Sequence, residues 1–202
     1  MKNKENQEKV WDEIAPEWHE FKKMPANSVI NFLESQKGKV LDLGSGSGRN
    51  MVENKNVKYY LTDFSQKMLD LAQKKAKEKN IEIETKKSNL WEIPYDDNFF
   101  DAAICISALH CIEGEDKRIK SIEELHRVLK PKSYALIGVW NARSKRFKDK
   151  AKEKMISWQD KGNRYYYLYY KEEIQKQLED TGFKIIDDVS SEMMINLVVV
   201  KI

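Results

Sequence analysis

The chain has 202 residues, 41% of them hydrophobic and 10% aromatic, which fits one domain over 1–202 with a sizeable core better than two. Lys and Arg number 36 against 33 Asp and Glu, so the net charge of +3 excludes a uniformly basic surface and requires any basic footprint to be local. Met1 to Lys9 lacks an apolar signal core, no apolar run approaches the ~20 residues that cross a bilayer, and Cys105 and Cys111 form no paired framework, so a cytoplasmic protein with no membrane partner and no structural disulfide is expected.

Residues 1–37 read as an N-terminal helical arm. Val10, Trp11, Ile14, Trp18 and Phe21 recur at helical spacing, with Pro16 expected to break or restart the helix, and a second helix spans 26–35. A short buried strand follows at 39–43, then a glycine-rich turn leading into a short helix over 50–54. Strand and helix then alternate: strand 57–62, helix 65–79, strand 81–85, strand 99–107, helix 116–129, strand 134–140. After a polar and aromatic insertion at 141–170 come a helix over 171–180 and two strands, 183–189 and 196–202, too close together to enclose a helix. The pattern predicts an α/β fold: a Rossmann-like, seven-stranded, mostly parallel sheet with helices on both faces and a C-terminal antiparallel hairpin.

In such sheets the ligand crevice lies beyond the carboxyl ends of the strands, beside the first of them. Asp42-Leu43-Gly44-Ser45-Gly46-Ser47-Gly48 stands there, and Gly44, Gly46 and Gly48 allow positive φ and bare backbone, so that amides can meet a cofactor's carboxylate or ribose; the alternative is a tight connection without a ligand. A dinucleotide fingerprint needs its third glycine one residue later, which disfavours NAD. Asp63 ends the second strand about 20 residues downstream, where a carboxylate accepts ribose hydroxyls, or else caps the helix at Ser65. Ser45, Phe64 and Met68 join the cofactor set with Asp42 and Asp63. Asn89 and Leu90 can offer side-chain and backbone amides to an adenine edge, and Ile106 and Ser107 end the fourth strand nearest the reacting group. His110 faces that group or serves as a hydrogen-bonded structural histidine. Cys105, His110 and Cys111 lack the paired spacing of a zinc site, so no metal is expected. The absence of a Gly-x-Ser-x-Gly elbow and of a Walker lysine argues against serine hydrolysis and nucleotide triphosphate hydrolysis.

Val40 to Gly48, Asp63, Phe100-Asp101 and Glu124-Leu125-His126-Arg127-Val128-Leu129-Lys130-Pro131 resemble the class I methyltransferases. Trp11-Asp12-Glu13-Ile14-Ala15-Pro16, Lys22-Lys23 before Pro25, Ile106 to His110, Ile137-Gly138-Val139-Trp140 and Arg164-Tyr165-Tyr166-Tyr167 resemble, within that class, the tRNA wobble-uridine carboxymethyl methyltransferases, among them the methyltransferase domain of the AlkB-like tRNA enzyme. The resemblance implies S-adenosylmethionine as cofactor, a tRNA substrate methylated on a carboxymethyl carboxylate, and a small zinc-ribbon activator subunit. The chain departs from that family at Cys111, Asn89 and Lys132-Ser133, where a histidine, an Asp-like residue and a Gly-Gly turn are common.

A carboxylate acceptor needs orientation and no general base, and His110, Lys23 and Arg164 are the residues assigned to orient it or a neighbouring phosphate. Arg143, Lys145, Arg146, Lys148, Lys150, Lys152 and Lys154 could neutralise phosphates while tyrosines stack an unpaired base; alternatively Phe147, Ala151, Met155 and Trp158 mark an amphipathic helix whose lysines face water. Trp11 and Trp18 either cover the cofactor or pack the arm. Two other functions fit the same residues, a small-molecule methyltransferase with an enclosed apolar pocket and an inactive cofactor-binding scaffold.

Overall fold

A computed structural model describes residues 6–148 and 150–202; residues 1–5 of the arm and residue 149 of the insertion lie outside the described residues. The arm is α1 (Gln7–Phe21) and α2 (Asn27–Glu34). Then come β1 (Gly38–Leu43), β2 (Val57–Asp63), α3 (Gln66–Glu78), β3 (Ile83–Lys87), β4 (Phe100–Ile106), α4 (Glu115–Val128) and β5 (Leu129–Trp140). The chain continues through β6 (Glu153–Ser157), β7 (Asn163–Tyr167), α5 (Lys171–Asp180), β8 (Phe183–Asp188) and β9 (Met194–Lys201).

Seven strands form one sheet in the order β3-β2-β1-β4-β5-β9-β8; the first five run parallel, and β8 and β9 form the antiparallel hairpin that the sequence predicts. The two-residue period of the strands sorts their side chains into two cores. On one face Leu41, Ala103, Cys105, Ile137 and Val139 pack with Ile122 and Leu125 of α4 and Ile174 and Leu178 of α5. On the other Val40, Tyr59, Leu61, Ile104 and Leu136 pack with Val29 and Leu33 of α2 and Leu69 and Ala72 of α3. Strand order reverses between β1 and β4, so the crevice of the fold opens above the carboxyl ends of those two strands.

Several expectations are corrected. Helix α1 runs unbroken through Pro16, because burial of Trp11, Ile14 and Ala15 against Met68 and Tyr166 outweighs the hydrogen bond that proline removes. Residues 50–54 form no helix: five residues are too few to nucleate one, and Asn54 Nδ2 instead bonds the carbonyls of Leu33 (3.0 Å) and Gln36 (3.1 Å). Strand β3 starts two residues late, since Ile81 N still bonds the Ala76 carbonyl at the end of α3 (2.9 Å). Strand β5 starts early, at Leu129, with an irregularity opposite Phe100 and Ala102. The 147–158 stretch is not an amphipathic helix. Phe147 is buried and Met155 half-exposed, and β6 pairs antiparallel with β7 in a separate hairpin, where Tyr165, Tyr166 and Tyr167 favour the strand conformation.

Candidate functional site

Above the switch point lies a cavity of about 470 Å³, within the usual range for a cofactor-sized ligand. Its floor is the glycine turn after β1 and the end of β4; its walls are Asp63, Phe64 and Met68 on one side and Asn89, Leu90 and Trp91 on the other. Trp11 and Trp18 of α1 close it above, and Ser107 to Glu113 with Lys117 of α4 extend it at one end.

Gly44 is required by close approach: with φ +72° its backbone lies against Ala108, whose Cβ would stand 2.3 Å from any added Cβ. Gly48 does not line the cavity; a Cβ there would meet Met51 Cε at 2.5 Å and Ala72 at 3.1 Å, so this glycine lets the turn pack on α3. Only Gly46 of the three opens toward the ligand space, its added Cβ meeting nothing nearer than Trp18 Nε1 at 4.0 Å.

The expected cradle of free amides is not what the turn presents. Gly44 N and Ser45 N both donate to the Thr62 carbonyl (2.9 and 3.0 Å), Gly48 N donates to the Ser45 carbonyl (3.1 Å), and Gly46 N donates to Asp63 Oδ2 (2.8 Å). Parallel pairing of β1 with β2 carries on into the turn and takes the first two of these donors, while the Asp63 side chain and the turn itself take the other two.

Asp63, buried, accepts Gly46 N with one oxygen and Ser65 N with the other (2.9 Å), and burial lifts its carboxyl to about 6 against the pull of these backbone N–H groups. It lines the cavity while bracing its floor. The helix cap belongs to Ser65, whose hydroxyl accepts Met68 N (3.2 Å) and donates to Asp12 Oδ1 of α1 (2.5 Å).

Asp42 lies beneath the turn and not in the cavity wall. It is 1% exposed, neither carboxylate oxygen has a hydrogen-bond partner, and burial raises its carboxyl to about 7, with Asn50 and Arg49 drawing it back. The cation that answers this buried carboxylate is Arg49, which lines the cavity above it. Ile106 and Ser107 reach the wall from β4, and Ser107 takes a left-handed φ of +62°, a strained conformation for a residue with a side chain.

The three residues assigned to the acceptor do not converge on the cavity. His110 sits fully buried in the short 3-10 turn 109–111, accepts the Trp140 amide on Nδ1 (3.0 Å) and lies between the Trp140 and Tyr166 rings; burial pushes it down to about 3, so it is neutral. This is the geometry of the structural alternative. Lys23 is exposed and paired with Glu20 (2.6 Å). Arg164 is buried behind the aromatic wall, donating to Tyr166 Oη (2.7 Å) with its guanidinium 4.8 Å from the Trp158 ring and 5.4 Å from that of Trp18. Trp11 and Trp18 do both things expected of them: they cover the cavity and pack edge-on with each other and with Trp158.

Trp91, Glu113 and Lys117 are wall residues that the sequence reading missed, although Trp91 directly follows the assigned Asn89-Leu90 pair. Cys105 and Cys111 are free thiols, and the described residues contain no cluster of three His, Cys, Asp or Glu arranged for a metal. No helix among the described residues is long and apolar enough to cross a membrane.

Residues 40–132 match a methyltransferase domain family, the segment that carries the glycine turn, Asp63 and β4. The chain is 36% identical over 138 residues to the tRNA (carboxymethyluridine(34)-5-O)-methyltransferase of Arabidopsis thaliana; the match covers 66% of this chain and spans only 32% of that protein. Among solved structures, a SAM dependent methyltransferase from Aquifex aeolicus aligns with a TM-score of 0.69 at 23% identity, covering 98% of this chain and all of the other. A putative methyltransferase solved in complex with the Haloferax volcanii Trm112 methyltransferase activator aligns with a TM-score of 0.76 at 17% identity, covering 96% of this chain and 97% of that chain. At these identities the two structures share the fold.

Proposed function

The chain carries a methyltransferase domain on the fold of S-adenosylmethionine-dependent methyltransferases, and from that premise we propose that it methylates the carboxylate of a carboxymethyl-modified wobble uridine in cytoplasmic tRNA. The observation that carries the cofactor half of this reading is the buried carboxylate of Asp63 in the wall of the cavity at the switch point. It suits ribose hydroxyls. The acceptor half rests on the likeness to the Arabidopsis enzyme.

S-adenosylmethionine, when bound, supplies an activated methyl group together with its leaving group. The chain's part is to hold and to dry. Asp63 stands to take the ribose, Asn89 and Leu90 the adenine, and Trp11 and Trp18 keep water from the methyl group. A carboxylate acceptor is ionised at neutral pH and attacks without losing a proton, so the chain must provide alignment and no base. A neutral, buried His110 is compatible with that requirement. We further propose that a small activator subunit assists, as an activator accompanies the Haloferax neighbour.

The test is methyl transfer from labelled cofactor to tRNA bearing carboxymethyluridine at the wobble position, with and without a zinc-ribbon activator. The expected label is released by mild alkali, as a methyl ester must be. Alkali-stable label, label entering only small molecules, or no label even with the activator would each sink the reading.

A further inference from the structure

Several cations of the arm and the insertion are neutralised: Lys23 pairs with Glu20, Arg143 with Glu172, Lys152 with Glu173 and Lys161 with Glu17. Lys22 and Arg146 form no ion pair with a carboxylate among the described residues, and Arg49 has only the buried Asp42 carboxylate beneath the turn as its charge partner. The three come from separate parts of the chain, and Lys22 stands near enough to both arginines to be repelled by them.

Arg49 belongs to the cavity wall beside Trp18. The Lys22 ammonium lies 5.9 Å from the Trp18 ring and 4.8 Å from that of Phe21, and the Arg146 guanidinium lies over Trp140 and Phe147 at 5.6 and 5.3 Å. Burial first, then the charges of Arg49 and Arg146, hold the Lys22 ammonium below its usual range. Burial does the same to Arg49, against the pull of the Asp42 carboxylate. Phe21, at the end of α1 beside Lys22, keeps 64% of its surface in water.

A lysine without an acid of its own, crowded by two arginines, costs the free protein stability, and an anion placed beside it relieves that cost. Their arrangement selects the anion. Arg49 alone touches the ligand cavity, while Lys22 and Arg146 lie outside it, so the cluster reaches beyond the cofactor's space onto the surface around its mouth. An exposed aromatic ring beside such a cluster is the combination that binds single-stranded nucleic acid, the cations taking phosphates and the ring taking a base face.

We infer that Lys22, Arg49 and Arg146, with the exposed ring of Phe21, form a subsite for a phosphodiester group flanking the acceptor nucleotide. The inference rests on the RNA reading above and adds to it the residues that engage the backbone. No assigned catalytic residue is among them; Lys22 has no carboxylate partner among the described residues, whereas the neighbouring Lys23 pairs with Glu20.

The experiment is binding of a fluorescent anticodon stem-loop RNA to the full chain with S-adenosylhomocysteine present, followed by anisotropy over a range of salt concentrations. It compares the wild type with Lys22→Gln/Arg146→Gln and with Arg143→Gln, whose cation is already paired. Each single-strand phosphate contact contributes about 0.7 to the slope of log affinity against log salt, so the double variant, which empties one such subsite, should lose about 0.7 from that slope while Arg143→Gln keeps it. A double variant with the wild-type slope overturns the subsite and leaves the RNA reading standing. Wild type that does not bind the RNA overturns both. A double variant that weakens S-adenosylhomocysteine as much as RNA assigns the cluster to the cofactor, and also overturns the proposal.

Discussion

The two walls of the cavity are held by different means. The β1–β2 wall is backbone: Thr62 and Asp63 receive the amides of the glycine turn, and every partner lies within one parallel strand pair. The opposing wall is α1, held from behind by the β6–β7 hairpin through side chains that reach across some 150 residues of sequence. Gln7 bridges the hairpin backbone at Asn163 O and Tyr165 N (3.0 and 2.9 Å), and Glu17 accepts Trp158 Nε1 (2.9 Å) and Lys161. The first wall depends on backbone hydrogen bonds that no side-chain substitution removes, apart from the one to Asp63, whereas the second depends on single side chains.

The comparison breaks most sharply at Asp63. Asp63→Ala removes the acceptor on the cavity wall, together with two hydrogen bonds to the Gly46 and Ser65 amides whose loss lowers stability. At ~1.5–3 kcal/mol for a ribose hydroxyl that donates to this carboxylate, S-adenosylmethionine affinity should fall by about tenfold to about 150-fold, measured by isothermal titration. A loss below about tenfold would mean that the β1–β2 wall does not carry recognition.

Asp42 tests the same wall through pH. An acid held at about 7 when folded, against 3.8 otherwise, carries an extra proton in the folded state between those values. Folding stability therefore falls as pH rises from about 4 to about 7, and the contribution is most favourable below the unfolded value. Asp42→Asn has no such proton to lose. Its stability relative to wild type, both without ligand, should climb across that window by an amount on the order of 4 kcal/mol, and a flat difference would show that burial does not raise the Asp42 carboxyl.

The first wall was legible in the sequence. A strand, a glycine turn, a second strand and an acid about 20 residues on are local signals, and Gly44, Ser45, Gly46, Asp63, Phe64, Met68, Asn89, Leu90, Ile106 and Ser107 all line the cavity. What the amides of the turn do was not legible, because it depends on the register of β1 against β2. The second wall was hidden for longer-range reasons. His110 is turned from the cavity by the Trp140 amide thirty residues away, and the helical spacing of Phe147, Ala151, Met155 and Trp158 is an accident of a segment whose partner is the β7 strand.

Arg164→Lys probes the second wall. The ammonium keeps the charge but loses the planar contact with the Trp158 and Trp18 rings and the bond to Tyr166 Oη, which should lower stability by about 1–2 kcal/mol in thermal unfolding. If Arg164 instead touches the acceptor, KM for tRNA will rise while the melting temperature stays put.

The smallest effect is expected at Lys23. Its side chain is 64% exposed, and its partner Glu20 is equally exposed one helical turn away, so the pair contributes a few tenths of a kcal/mol at most. The backbone at this position matters more than the ammonium, since the Lys23 carbonyl accepts Lys75 Nζ (3.0 Å) and ties the end of the arm to α3. Lys23→Ala preserves that carbonyl. Methyl transfer and melting temperature should both stay within about twofold and about 1 °C of wild type. A large loss of kcat with unchanged stability would put the ammonium on the acceptor, and it would require the arm to swing from Glu20 toward the cavity when tRNA binds.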